Sequence, residues 1–443
     1  MTSRILDERP GRTLTVLHNG VRVASWREQA NNGIATVGIG FDRGCDSDPP
    51  GQTGLTHFLE HVLLPKDKEA PLTRNGGFVN AVTGNSGLLF FAGSFADKMA
   101  QNFQALTTAV SRPAFDHNVL EIERKRILRE IVESGYISNA RAIELSSHGA
   151  SPSLHPVLGN EALVASFSRN QVQQHWQRLL KPENLIVIAS GDVDHKHLEN
   201  LAEKHLGNLQ RSPAEAKPQN MPFRADILVT PGTQPTFSAC TLFQLPEQGF
   251  HPATSTVIGH LLGENTDLAI HNKLSWGQAL TYYPICRIQN IHRRPYLLID
   301  CLIEATMAKQ AGTTLASDIR NLASRIQEQH LTETRLQLHF GALSERFGSH
   351  DTLFHLVSSA SEMKCPVTAL EKFNELGMPS LDEVRSAAQF AFQQPPAIAV
   401  TSRAGIPFVT ALRPDYSPAA APPPRQANRL QRILRGLSHA CGF

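Results

Sequence analysis

The feature that most limits what this chain can fold into is a break near its middle. Residues 210–223 read QRSPAEAKPQNMPF, with three prolines and no hydrophobic period, which is the composition of an extended linker. At 443 residues the chain is longer than one ordinary core organises, because domains of about 100–200 residues are the rule. The break therefore separates two units of similar size. In the first, Leu14, Val16, Val21 and Val23 flank Asn19-Gly20 as in a β-hairpin. Residues 35–41, 88–92 and 185–190 suit strands, and residues 55–64, 99–110, 118–133, 170–180 and 195–206 have helical periodicity. Beyond the break, strands at 238–245 and 296–304 and helices at 253–262 and 308–329 follow in a comparable order. The expected fold is α+β: two related α/β modules, each a mainly antiparallel sheet packed against helices. Their expected limits are 1–209 and 225–443, joined by a linker at 210–224. A Pro/Ala-rich tail near 414–428 precedes a short basic helix at 429–439.

Composition narrows the classes of function. Hydrophobic residues make up 41% and charged residues 19% of the chain, with a mean hydropathy of −0.22, as in globular proteins with real cores. The net charge is +2 and no basic stripe alternates with aromatics, so the sequence offers nucleic acid no electrostatic footprint. The six cysteines at 45, 240, 286, 301, 365 and 441 form no CxxC pair, which speaks against both a disulfide framework and a cysteine-held zinc. No run of 18 apolar residues occurs, and the first residues, MTSRILDERPGRT, are charged where a signal peptide would be apolar. The expected location is the cytoplasm, in a bacterium, with no membrane partner.

The chemistry is concentrated in residues 54–64, GLTHFLEHVLL, which contain His57-x-x-Glu60-His61. On a helix, His57 and His61 share a face and Glu60 projects beside them. Two neutral imidazoles suit zinc, which in hydrolytic sites keeps one position for water. A carboxylate that does not ligate the metal can take that water's proton, and HxxEH is the inverted zincin pattern. The same spacing also fits two histidines on an amphipathic surface helix. Further along, Glu123 and Glu130 are seven residues apart on a helix and share a face. One of them could be a third ligand and the other could orient a ligand. A solvated charged helix is the alternative, since Glu121, Arg124, Lys125, Arg126, Arg129 and Glu133 surround them.

HFLEHVLL, then GGFVNAVTG, then EIERKRILREI, in that order, resemble the pitrilysin-like (inverzincin, M16) zinc metallopeptidases, which include mitochondrial processing peptidases and insulin-degrading enzymes. The resemblance extends to NLIVIASGDVD at residues 184–194, so it covers most of the first half. It implies that His57, His61 and Glu130 ligate Zn2+, that Glu60 is the general base and that Glu123 supports the ligands. It places Asn80 and Ala81 at the substrate, just before an edge strand to which an extended peptide adds, with residues 88–92 as the candidate for that strand. Two departures stand out. His61 and Glu130 are 69 positions apart, several fewer than the family shows, with the shortage between Leu64 and Gly76. In the second half the family's Arg precedes its Tyr by seven residues; here LSWGQALTYY at 274–283 keeps Tyr282, a catalytic candidate, but has Ser275 in place of Arg. A hydroxyl carries no fixed charge for an oxyanion. The resemblance thus implies a zinc endopeptidase for peptides or unfolded precursor segments, short enough to pair with a homologous partner subunit that supplies the Arg/Tyr pair, or with itself. A non-catalytic scaffold or partner subunit of the same fold is the alternative.

Overall fold

The structure is a computed structural model that describes residues 3–27, 33–65, 72–73, 76–84, 86–133, 157–159, 161–211, 223–229, 235–246, 249–263, 266–282, 284–291, 294–344, 353, 356–357, 359–361, 364, 374–375 and 377–417. Most of the expected linker, the tail from 418 with its basic segment, Tyr283, Cys365 and Cys441 lie outside the described residues.

Seven strands of the first half form one sheet: β1 (Arg4–Arg9), β2 (Arg12–Val16), β3 (Arg22–Arg27), β4 (Ile34–Phe41), β5 (Phe78–Thr83), β6 (Leu88–Phe95) and β7 (Leu185–Gly191), in the order β1-β2-β3-β7-β4-β6-β5. Its helices are α1 (Leu55–Leu63), α2 (Met99–Ser111), α3 (His117–Glu133), α4 (Glu161–Ser166), α5 (Arg169–Leu179) and α6 (His195–Leu206). Five strands of the second half, β8 (Ile227–Val229), β9 (Thr236–Gln244), β10 (Ile285–Ile291), β11 (Arg294–Glu304) and β12 (Ala397–Val400), form a sheet in the order β10-β11-β9-β12-β8. Helices α7 (Thr254–Gly263), α8 (Ala308–Arg320), α9 (Leu322–Arg325), α10 (Glu328–Ser344), α11 (Leu381–Gln393) and α12 (Ile406–Leu412) accompany it.

The duplication suggested by element order is visible in the pairing. Reading β5-β6-β4-β7-β3 against β10-β11-β9-β12-β8 matches every neighbour, and the one parallel pair falls at the same place, β3 with β7 and β12 with β8. The helices α5 and α11 both open with a capping box, Ser168 with Gln171 and Ser380 with Glu383, which satisfies the orphan N–H groups of the first turn. Strands β1 and β2, paired with each other, have no counterpart among the described residues of the second sheet.

Sheet burial corrects one expectation. Leu88, Phe90 and Ala92 of β6 enter the main core, while Leu89 and Phe91 pack on the opposite face with Leu353, Leu356 and Ala360 from the second half. A strand covered on both sides reads as a continuous apolar run, so residues 88–92 lie inside the sheet, between β4 and β5. The edge strand is β5, whose residues are only half buried or exposed. The helix expected over 308–329 is likewise broken: α8 ends at Arg320, α9 is a single turn, and Ile326 is extended before α10. The carbonyl freed at Ile326 accepts from Arg385 Nε and Nη2 of α11, a tertiary bond invisible to local periodicity. Among the described residues no helix is long and apolar enough to cross a membrane.

Candidate metal centre

Helix α1 forms because Leu55, Phe58, Leu59, Val62 and Leu63 place one apolar stripe into the core, each contributing about 1.5–3 kcal/mol by burial. Its N-cap is Gly54 in the left-handed conformation, φ 90°, where a Cβ would sit 2.7 Å from Gly159 Cα. Glycine has no side chain with which to cap the helix. Asp48 does so from a distance, accepting from the N–H groups of Gly54 (2.7 Å), Leu55 (3.1 Å) and Thr56 (2.8 Å). The dipole and these bonds favour the carboxylate, but burial outweighs the bonds and pushes Asp48 up to about 7. Thr56 Oγ1 donates to Asp48 Oδ1 at 2.6 Å and lies 2.8 Å from His175 Nε2, and Arg178 Nη2 lies 3.1 Å from His175 Nδ1. Arg178 can only donate, so Nδ1 accepts and Nε2–H donates to Thr56. Burial, reinforced by Arg178, pushes the His175 imidazole down to about 3, consistent with that neutral tautomer. This chain ties the start of α1 to α5, and its members Asp48 and His175 carried no signal in the sequence that set them apart.

The stripe that faces away from the core carries the chemistry. The donor atoms of His57, Glu60 and His61 lie within 4.8 Å of one another. Glu130 Oε2, from α3, lies 3.6 Å from His57 Nε2 and 3.6 Å from His61 Nε2. Glu123 Oε2 lies 3.1 Å from His61 Nδ1, and its other oxygen accepts from Arg126 Nη1 at 2.5 Å. Arg124 clasps the same helices: it donates to the carbonyls of Val164 and Phe167 and stands 5.1 Å above the Phe58 ring. Glu60 also reaches the sheet, where Thr83 Oγ1 donates to its Oε2 at 2.5 Å.

The donor set fits zinc. Ligands at about 2.0–2.1 Å in tetrahedral array stand about 3.4 Å from one another, against the 3.6 Å that separates Glu130 Oε2 from each imidazole. Glu123 accepts from His61 Nδ1–H, so Nε2 is the nitrogen turned toward Glu130 and the one left to ligate once its proton is lost. Electrostatics also favour a cation. Burial opposes charge on His61, yet its hydrogen bonds to Glu123 and Glu130 and the nearby Glu60 outweigh it and push the imidazole up to about 9. Burial raises the Glu60 carboxyl above its ordinary value, with the Thr83 hydrogen bond and His61 opposing. Of the residues singled out in the sequence, His57, Glu60, His61, Glu123 and Glu130 converge here. Asn80 and Ala81 lie on the edge strand β5, Asn80 exposed, beside α1. Tyr282 is apart: it lies on the loop before β10, is 93% exposed, and its phenol makes no hydrogen bond among the described residues. Ser275 Oγ donates to the Tyr282 carbonyl at 2.5 Å, and Ala279 between them has φ 51°. Thr83, which holds Glu60, was not singled out in the sequence.

Residues 22–144 match the family model for insulinase (peptidase family M16), and residues 166–338 match that for the peptidase M16 inactive domain. The two matches together span about two thirds of the chain. The chain belongs to the M16 peptidase family. Among curated M16-type relatives, the mitochondrial-processing peptidase subunit beta of Blastocladiella emersonii is 26% identical over 47% of this chain and 47% of its own length. The cytochrome b-c1 complex subunit 1 of Mus musculus is also 26% identical, over 47% of this chain and 45% of its own length. The matches thus span about half the length of these relatives. The fold extends further. A protease from Helicobacter pylori superposes with a TM-score of 0.75 at 14% identity, covering 88% of this chain and 98% of that one. A peptidase M16 inactive domain from Pseudomonas fluorescens gives 0.75 at 15%, covering 88% and 97%. The second sheet explains why an M16 module can lack a metal site. Its helix α7, the counterpart of α1, has one histidine and no carboxylate. Moreover a Cβ on Gly259 or Gly263 would come within 2.5 Å of β10, so α7 closes directly onto its edge strand where α1 presents polar groups.

Proposed function

We propose that this chain is a zinc-dependent endopeptidase that hydrolyses peptides or unfolded precursor segments. The observation that carries the reading is Glu130 Oε2 at 3.6 Å from both His57 Nε2 and His61 Nε2, with Glu60 held separately by Thr83. His57, His61 and Glu130 would hold the metal, and Glu123 would orient His61. Zinc, when bound, supplies Lewis-acid polarisation of the scissile carbonyl and makes water more acidic. Glu60 takes the proton from the attacking water and returns it to the leaving amine. The half-exposed edge of β5 receives an extended peptide beside Asn80 and Ala81, by main-chain pairing with Val79 and Ala81. The two-module organisation, with its join near 210–224, supports pairing with a second chain of the same family. Ser275 in place of a guanidinium favours a partner that supplies the missing cation with its own tyrosine, a role this chain's exposed Tyr282 would otherwise share.

A scaffold role is the second reading, favoured by a relative that is named as a subunit of the cytochrome b-c1 complex and by Ser275. The complete His57, Glu60, His61 and Glu130 set speaks for catalysis, since a scaffold has no use for it. The test is bound zinc together with cleavage of a quenched peptide, alone and beside an M16 chain that carries the Arg/Tyr segment. One zinc per chain with cleavage abolished by Glu60→Gln is the expected result; zinc without cleavage in either setting favours the scaffold.

A further inference from the structure

Among the described residues strand β5 has one sheet neighbour, β6, and no strand pairs with its other edge. The β5–β6 hairpin is closed by Gly84 N–H donating to Gly87 C=O at 2.8 Å. In an antiparallel ladder, residues alternate between facing the partner strand and facing away. Counting back from Gly84, the main-chain groups of Thr83, Ala81 and Val79 face the open edge. Two contacts agree with this count. Ala81 N–H donates to Asn80 Oδ1 at 2.9 Å, and the Thr83 backbone is among the groups that favour the ionised Glu60 carboxylate. Thr83 grips Glu60 by its hydroxyl at 2.5 Å with its amide turned to the same edge, and the side chains of Val79 and Ala81 rest on the core that α1 also contacts.

We propose that Thr83 is a positioning residue that ends the open edge of β5 and fixes Glu60 there, so that a peptide paired with Val79 and Ala81 meets the base in a single register. The proposal rests on the peptidase reading for its catalytic consequence but not for the clamp itself. In it, Asn80 releases the Ala81 amide to an incoming peptide carbonyl, whereas Thr83 never pairs with substrate because Glu60 occupies its end of the edge. Docking then belongs to Val79 and Ala81, and placement of the base to Thr83. Loss of the hydroxyl leaves the first intact and lets the carboxylate swing. A displacement of about 1 Å at a reacting group costs about 100-fold in rate.

Residue-resolved amide exchange and steady-state kinetics on the full chain test the two halves of the claim. Thr83 N–H is expected to exchange at least about tenfold more slowly than Val79 N–H, which faces the same edge, and to lose that protection in Glu60→Ala. Thr83→Val is expected to lower kcat about 10- to 100-fold with KM within about twofold of wild type and zinc content unchanged, and Thr83→Ser to restore most of the loss. Equal exchange at Thr83 and Val79 would overturn the clamp. A Thr83→Val chain with wild-type kcat, a loss carried by KM or by zinc release, or no rescue by serine would overturn the positioning role. If wild type cleaves no peptide, the peptidase reading fails, and the exchange measurement still decides whether Thr83 holds Glu60.

Discussion

Glu123 Oε2 lies 3.1 Å from His61 Nδ1, and this bond selects the imidazole nitrogen that is left for a metal. A carboxylate can only accept, so Nδ1 carries the proton and Nε2 is the available ligand. Because Glu123 is 2% exposed and is bonded on its other side to Arg126, it cannot turn away without leaving a buried charge unpaired. Glu123→Ala is therefore expected to weaken zinc binding by about 10- to 100-fold, the usual cost of removing a residue that supports a ligand. Competition with a chromophoric chelator measures it, and an unchanged affinity would mean that His61 is oriented by something else.

Glu130 is expected to matter more to the metal than Glu60. Glu130→Gln removes an anionic oxygen that faces both imidazoles at 3.6 Å, and equilibrium dialysis should show a weaker site with less zinc per chain. Glu60→Gln should keep its zinc. The reverse pattern would exchange the two roles.

How much of this was legible in the sequence differs between residues. His57, Glu60 and His61 were legible because four-residue spacing on a helix fixes a shared face, and Glu123 and Glu130 because seven-residue spacing does the same. Strand β7 and the helices with strong periodicity fell where expected, and α6 spans His195–Leu206 as read. Three features were not legible. Residues 88–92 looked like a candidate edge, because a run buried on one face in the main core and on the other against Leu353, Leu356 and Ala360 has the same composition as any short apolar strand. The break at Ile326 depends on Arg385, 59 positions away. Asp48 caps a helix that begins seven residues later, beyond the reach of a local capping rule.

Gly54 tests the geometry of that start. A left-handed residue with a Cβ costs about 1 kcal/mol, and crowding against a neighbouring backbone adds about 1–3 kcal/mol. Gly54→Ala, whose Cβ would meet Gly159 Cα at 2.7 Å, is expected to destabilise the protein by about 2–4 kcal/mol, seen as a fall in denaturation midpoint. A loss below about 0.5 kcal/mol would show that the Gly54–Gly159 contact relaxes freely.

The opposite change is expected at Ala279. With φ 51° it pays for a conformation that glycine adopts without strain, so Ala279→Gly should leave stability unchanged or raise it by up to about 1 kcal/mol. A clear loss in thermal denaturation would show that the Ala279 side chain contributes packing that outweighs its backbone.

His175 gives the pH dependence. Its folded value, about 3, lies below its ordinary 6.5, so between these limits the unfolded chain binds the extra proton and stability falls as pH falls. His175→Gln has no such proton to bind. The stability advantage of wild type over this variant is expected to shrink on acidification from about pH 6.5 toward pH 4, in paired urea denaturations. An advantage that stays constant or grows would place a protonated imidazole beside Asp48 instead.

The most direct test of the whole account is to purify the chain, count its zinc and follow cleavage of a quenched peptide by wild type and Glu60→Gln, each alone and with an M16 partner that carries the Arg/Tyr segment. The account expects one zinc per chain in both proteins and a fall in kcat of about 100- to 10,000-fold for Glu60→Gln. A wild-type chain that binds no zinc, or a Glu60→Gln chain that cleaves as fast as wild type, would contradict it.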